Sequence, residues 1–274
     1  VTAMNHKLFA CELMDKAILD CTKNNREQAK NRFFLQGDPD AVLMLEVSAD
    51  TIEEAEKQAD KLIEDLKANN FGYHYPKVYG EDIAKVHYLR KAGLGLLGNI
   101  VGDKKAVACI EDPEYIEEFT QIMDKYQQDA VYYAHAGAGE LHLRPILNLK
   151  KQEDVVLFRK ITTETAELVK KYKGSFSGEH GDGIVRAEFI PLMIGDKNYQ
   201  LLRRIKKTFD ENNVFNKGKI TDAFPMDKSL RYEIDRIEPE IKTLQDFSDS
   251  EGILKLAEKC NGSGDCRKSP EAGG

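Results

Sequence analysis

The feature that most limits what this chain can fold into is a glycine-bounded hairpin signal, Tyr133-Ala-His135-Ala-Gly137-Ala-Gly139-Glu140-Leu-His142-Leu-Arg144-Pro145. Residues 130–136 and 140–147 read as strands joined by a glycine turn. An antiparallel pair is therefore expected inside whatever sheet the chain builds. A second short segment follows, Gly178-Glu179-His180-Gly181-Asp182-Gly183. Together the two hold three of the six histidines. Glycines at these spacings let backbone and side chains crowd round one small object, a metal ion or a cofactor ring.

The rest of the chain supplies helices around that pair. Apolar residues at helical spacing (Leu8, Cys11, Leu13, Met14, Ala17, Ile18, Cys21) predict a helix over 8–21. Residues 41–47 read as a buried strand, and Thr51-Ile-Glu-Glu54 as a capping box that opens a charged helix to about residue 70. A strand is expected at 72–78, a helix over 83–97 and a short strand at 106–110. Pro113 reads as the first-turn proline of a helix running to about Tyr126. Long amphipathic helices are expected at 153–173 and 199–212. The class is α+β: an antiparallel sheet flanked by helices, all on one face, with an element order that also fits ferredoxin-like units. From about Pro225 the chain turns acidic and weakly periodic. Residues 225–259 read as a linker or a surface-packed extension.

Bulk properties exclude several classes. A net charge of −7 argues against general nucleic-acid binding. Any anionic substrate must then be drawn by a local positive site. No stretch is long and apolar enough for a transmembrane span. No signal peptide is visible, and the five cysteines show no disulfide framework, so the compartment reads as cytoplasmic. The first residue is Val1, which suggests a piece of a longer chain.

Within the hairpin, a two-residue turn at Ala138 and Gly139 would set His135 directly opposite His142. Opposed Cβ atoms lie about 4.5–5.5 Å apart, a span two imidazoles can close on one ion. Arg144 emerges on the face of His142. Two neutral nitrogens and a permanent cation suit a metal-assisted site for a carboxylate substrate. Glu179 would complete a two-His, one-carboxylate set, leaving His180 as an acid/base. The plainer reading, a polar hairpin with two satisfied histidines beside a surface turn, stays open.

At these residues the chain resembles the C-terminal domain of the FAD-linked oxidases, a family that includes D-lactate dehydrogenase, D-2-hydroxyglutarate dehydrogenase and the glycolate oxidase D subunit. The likeness runs from Glu12-Leu-Met-Asp15 through both histidine segments to Phe209-Asp-Glu-Asn-Asn-Val-Phe-Asn-Lys-Gly-Lys-Ile220. That last stretch is similar to the family's closing Asn-Pro-Gly-Lys turn, with Lys217 where proline is usual. The resemblance implies that His135, His142 and Glu179 hold a divalent metal such as zinc or manganese, and that His180 takes the hydroxyl proton. It implies that Arg90 lies near the substrate carboxylate and that Asn216 lies toward the flavin; Arg144, placed by its position on the His142 face and not by the resemblance, is read as a second clamp on that carboxylate. For Arg90 a solvated helix position is the alternative.

Three departures bear on the substrate. Ala138 and Glu140 replace the family's usual Asp and Asn, and Arg144 stands where Asn is common. In these positions the chain looks more like a subgroup fused to an iron–sulfur module. Cys260-Asn-Gly-Ser-Gly-Asp-Cys266 resembles the opening of such a cluster motif, although two cysteines cannot hold a cluster that needs four thiolates. The domain plan implied is a cap or substrate domain at 1–224, the acidic stretch at 225–259, and a truncated iron–sulfur start at 260–274.

Nothing in the chain resembles an FAD-binding domain. The implied partners are therefore the FAD-binding domain and the iron–sulfur module of the same polypeptide, together with a small D-2-hydroxyacid. Peripheral contact with the inner membrane through the electron-transfer chain would follow, and no oligomeric state is specified. Two other classes compete: a stand-alone metal-dependent hydrolase on the same His/His/Glu set, and a non-catalytic interaction domain.

Overall fold

A computed structural model describes residues 2–100, 102–107, 110–111, 116–260, 262, 264 and 267. Cys109, Pro113 and Cys266 lie outside the described residues, as does most of the iron–sulfur-like stretch.

Among the described residues six strands form the sheet: β1 Ala10–Asp15, β2 Ala41–Glu46, β3 Lys105–Ala106, β4 Ile110–Glu111, β5 Ala130–His135 and β6 Glu140–Leu147. Their order is β2-β1-β5-β6-β3, with β4 also paired to β6. The pairings are antiparallel. The helices are α1 Lys16–Lys23, α2 Ile52–Ala68, α3 Glu81–Leu96, α4 Ile116–Tyr126, α5 Gln152–Lys171, α6 Gly183–Arg186, α7 Ile190–Ile194, α8 Asp196–Phe209 and α9 Ile253–Glu258. Among the described residues no helix is long and apolar enough to cross a membrane.

The α+β class stands, with one change: helices cover both faces of the sheet. Side chains alternate along a strand. In β5, Val131 and Tyr133 join Met14, Ile18 and Leu19 with Val86 and Leu89 of α3. Ala134 joins Leu141 and Leu143 with Phe119 of α4 and Phe158 and Ile161 of α5 on the opposite face. Both alternating sets are apolar, so both need covering.

That double burial explains the main revision. Residues 8–21 form β1 and then α1, not one helix. With both strand faces buried, the period-two signal disappears and the apolar spacing mimics a helix. Asp15 marks the change: its side chain accepts the Ile18 N–H at 3.1 Å as the N-cap of α1. It also accepts the Tyr132 N–H at 2.6 Å. Burial pushes the Asp15 carboxyl up, against these backbone hydrogen bonds.

Elsewhere local chemistry decides. Thr51 caps α2 by accepting from Glu54 N–H at 3.2 Å. Residues 72–78 form no strand; the Tyr73 and Tyr75 hydroxyls donate to nearby carbonyls of Gln36 and Gly72. The acidic stretch is tied down. Met226 is fully buried in the α5-side core, and Asp227 pairs with Arg159 at 2.8 Å.

Candidate metal and acid–base site

The hairpin register sets the site. Tyr133 pairs with His142, and His135 with Glu140. The connection is a 3-10 turn over Ala136–Ala138 closed by Gly139 at φ 74°, a left-handed position that suits glycine. His135 and His142 are therefore diagonal neighbours, not directly opposed. The two-residue shift keeps both on one face because strand side chains repeat every second residue. Their ring centroids lie 5.7 Å apart.

The Gly-Glu-His-Gly loop follows α5 and closes over this face. Phe176 anchors it in the core, edge-on to Phe189 with centroids 5.4 Å apart. Arg186 of α6, itself buried, donates to the Gly181 carbonyl at 2.6 Å. Gly178 presses against Glu140: a Cβ there would fall 2.4 Å from Glu140 Oε1.

Four predicted residues are thus brought together. Glu179 Oε1 lies 3.4 Å from His142 Nε2, 3.8 Å from His135 Nε2 and 2.8 Å from His180 Nε2. One ligand atom from each of His135, His142 and Glu179 falls within 4.8 Å of the others. Ligands held about 2.0–2.2 Å from a tetrahedral ion stand about 3.3–3.6 Å apart, so these separations fit a divalent ion. His142 is 2% exposed, while His180 is half exposed at the open side.

The surroundings are stacked and charged. Tyr133 stacks on His142 with centroids 5.7 Å apart, and the Arg90 guanidinium lies 4.5 Å above the Tyr133 ring. Burial pushes the Tyr133 hydroxyl up, and it donates to the Arg90 carbonyl at 3.4 Å. Arg90 is not a solvated helix residue. It forms an ion pair with Glu12 and donates to the Ala134 carbonyl at 3.2 Å. Arg144 sits two residues beyond His142 on the same face, paired across to Val131. Asn216 stands in the loop after α8 with φ 48°, outside this cluster of contacts.

Sequence reasoning missed Glu12 and Tyr133. Glu12 was hidden by the helical reading of 8–21. As a strand residue between Cys11 and Leu13 it would have stood out as a carboxylate in a buried strand.

Residues 1–220 match the family of FAD linked oxidases, C-terminal domain. The chain belongs to that family. A D-2-hydroxyglutarate dehydrogenase of Pseudomonas putida is 30% identical over 96% of this chain, and one of Haemophilus influenzae is 31% identical over 94%. Each match takes in only 27% of the relative's length. A D-lactate dehydrogenase of Archaeoglobus fulgidus is 30% identical over 39% of this chain and 23% of its own. The chain thus spans about a quarter of the curated relatives it matches.

Proposed function

We propose that this chain is the substrate-side domain of an FAD-dependent dehydrogenase that oxidises a D-2-hydroxyacid of the lactate, glycolate or 2-hydroxyglutarate kind. The carrying observation is the convergence of His135 Nε2, His142 Nε2 and Glu179 Oε1 beside His180. His135, His142 and Glu179 would hold a divalent ion, zinc or manganese. Such an ion would supply Lewis acidity toward the hydroxyacid oxygens, and FAD, bound mainly by the remainder of the polypeptide, would supply the hydride acceptor.

The chain's own side chains do the rest. His180 is the half-exposed imidazole of the cluster and takes the hydroxyl proton. Arg144 supplies positive charge on the His142 face for the substrate carboxylate. Arg90 adds to that field from behind His135, where its contact with Glu12 and Tyr133 fixes it. Asn216 meets the flavin from the loop after α8. Cys260 begins a segment read as the lead into an iron–sulfur module, which would carry electrons onward, with peripheral contact at the inner membrane.

Elemental analysis of the purified protein beside His142→Ala tests the reading. About one divalent ion per chain, lost in the variant, supports it. No ion in either, even after soaking with zinc and manganese, overturns the metal set. Failure of the complete flavoprotein to reduce a dye with any D-2-hydroxyacid overturns the substrate class. Metal-dependent hydrolysis without flavin would replace it with a hydrolase.

A further inference from the structure

The geometry points to Glu12 as a positioning residue. Its carboxylate holds His135 as the Nδ1–H tautomer and so turns the Nε2 lone pair toward the space shared with His142 and Glu179. The inference deepens the metal reading above and rests on it.

Three observations carry it. First, β1 and β5 pair with Met14 beside Tyr133 and Leu13 beside Ala134, so Glu12 falls next to His135 on the same face. Second, His135 Nδ1 lies 3.2 Å from Glu12 Oε1 and 3.1 Å from Oε2, while Nε2 faces Glu179. Third, the arrangement is enclosed: the Glu12 and Arg90 side chains are 17% and 12% exposed.

The chemistry then fixes the proton. An ionised carboxylate only accepts, so the Glu12 contact requires hydrogen on Nδ1. A neutral imidazole has one N–H, which leaves Nε2 as a lone pair. Arg90 Nη2 also lies 3.2 Å from Nδ1. A guanidinium only donates, so Arg90 and Glu12 compete for Nδ1. With hydrogen on Nδ1, Arg90 keeps its bond to the Ala134 carbonyl and its ion pair with Glu12, whereas in the other tautomer Glu12, with no hydrogen to give, loses Nδ1 altogether. The opposite tautomer would set the Nδ1 lone pair against the Glu12 oxygens and lose the bond. Metal-binding histidines commonly donate their second ring nitrogen to a carboxylate, which fixes the tautomer and raises ligand basicity. Arg90 supplies the countercharge that makes a carboxylate tolerable at this depth.

The test uses the purified protein, Glu12→Gln and Glu12→Ala, with folding checked by circular dichroism. Nitrogen-15 NMR of the histidine rings, with His135 assigned through His135→Gln, reads the tautomer in metal-free protein above pH 8. The Nδ1–H form in wild type, giving way to a mixture in Glu12→Ala, is expected. Zinc affinity by chelator competition should fall about 10–100-fold in Glu12→Ala. Glu12→Gln should lose less, because its amide oxygen still accepts without charge. A wild-type His135 in the Nε2–H form, or zinc affinity unchanged in folded Glu12→Ala, overturns the role of Glu12. A wild-type protein that takes up no zinc, while His135 is Nδ1–H, overturns the metal reading and leaves Glu12 only a structural partner.

Discussion

His142 and His180 lie face to face, with ring centroids 5.1 Å apart and 13° between their planes. One is 2% exposed and sits on a strand; the other is half exposed and sits on a loop. The buried ring is thus both a candidate ligand and the platform on which the candidate base rests. Two replacements separate these roles. His142→Phe keeps a flat ring under His180 but removes the nitrogen, so metal should be lost with little loss of stability. His142→Ala should also lose on the order of 2–4 kcal/mol in denaturant unfolding, from the cavity left beneath the loop. Equal stability losses in the two variants would show that stacking contributes nothing.

Gly178 and Glu140 form a further contact between hairpin and loop. A Cβ at residue 178 would meet Glu140 Oε1 at 2.4 Å and Cδ at 2.8 Å. Gly178→Ala should therefore push the carboxylate or the loop aside at about 1–3 kcal/mol, and weaken metal binding by moving Glu179. In a Glu140→Ala background the same change should cost less, because the obstructing side chain is gone. A double-mutant cycle measures the difference, and strict additivity would exclude the clash as the cause.

The site was legible where local rules suffice. Thr51 and Glu54 announced a helix start because a cap needs only its own turn. The strands on either side of Gly139 were legible from the glycine turn that joins them. The connection between them was read two residues too tight, yet His135 and His142 still share a face because the strand period is two. What stayed hidden depends on tertiary burial. Residues 10–15 are covered on both faces, so Leu13 and Met14 look alike and Glu12 loses its context. The Glu12–His135 contact joins positions far apart in sequence and follows only from the β1–β5 register. No periodicity within either segment encodes it.

Asp210 gives a prediction with a defined sign. The Lys206 ammonium holds its carboxyl down to about 2, against burial and helped by the N–H groups of Val214 and Phe215, which donate at 2.8 and 2.9 Å. A carboxylate with a depressed folded pKa contributes stability that is complete above its unfolded value, 3.8 here, and is lost as pH falls through the folded value. The loop carrying Asn216 should stay ordered from neutral pH to about 4 and loosen between about 4 and 2. Protection factors for the Val214 and Phe215 amides report this directly. Asp210→Asn should loosen the loop at pH 7 and flatten the acid dependence; an unchanged acid profile would assign it to another group.

Lys150 ties the acidic stretch to the domain. Its ammonium reaches Asp103 at 3.1 Å, Glu238 at 2.6 Å and Glu258 at 2.8 Å, and lies 5.0 Å above the Tyr232 ring. Burial works against the charge, but the three carboxylates together outweigh it and hold the ammonium above the ordinary lysine range. Lys150→Met keeps the aliphatic stem yet takes the ammonium from Glu258 and leaves Glu238 only the longer contact to Arg236, at 3.5 Å. Breaking a largely buried pair from one side costs about 3–5 kcal/mol, and these groups are partly exposed, so a loss near the lower end is expected. Limited proteolysis should then cut within 232–250 faster than in wild type. Adding Glu238→Gln and Glu258→Gln to Lys150→Met should recover most of the loss, because Asp103 keeps Lys255 as its partner and the two other carboxylates are then neutralised with the lysine. If the triple variant is cut as fast as Lys150→Met, the strut works through packing of the lysine stem and not through its charge.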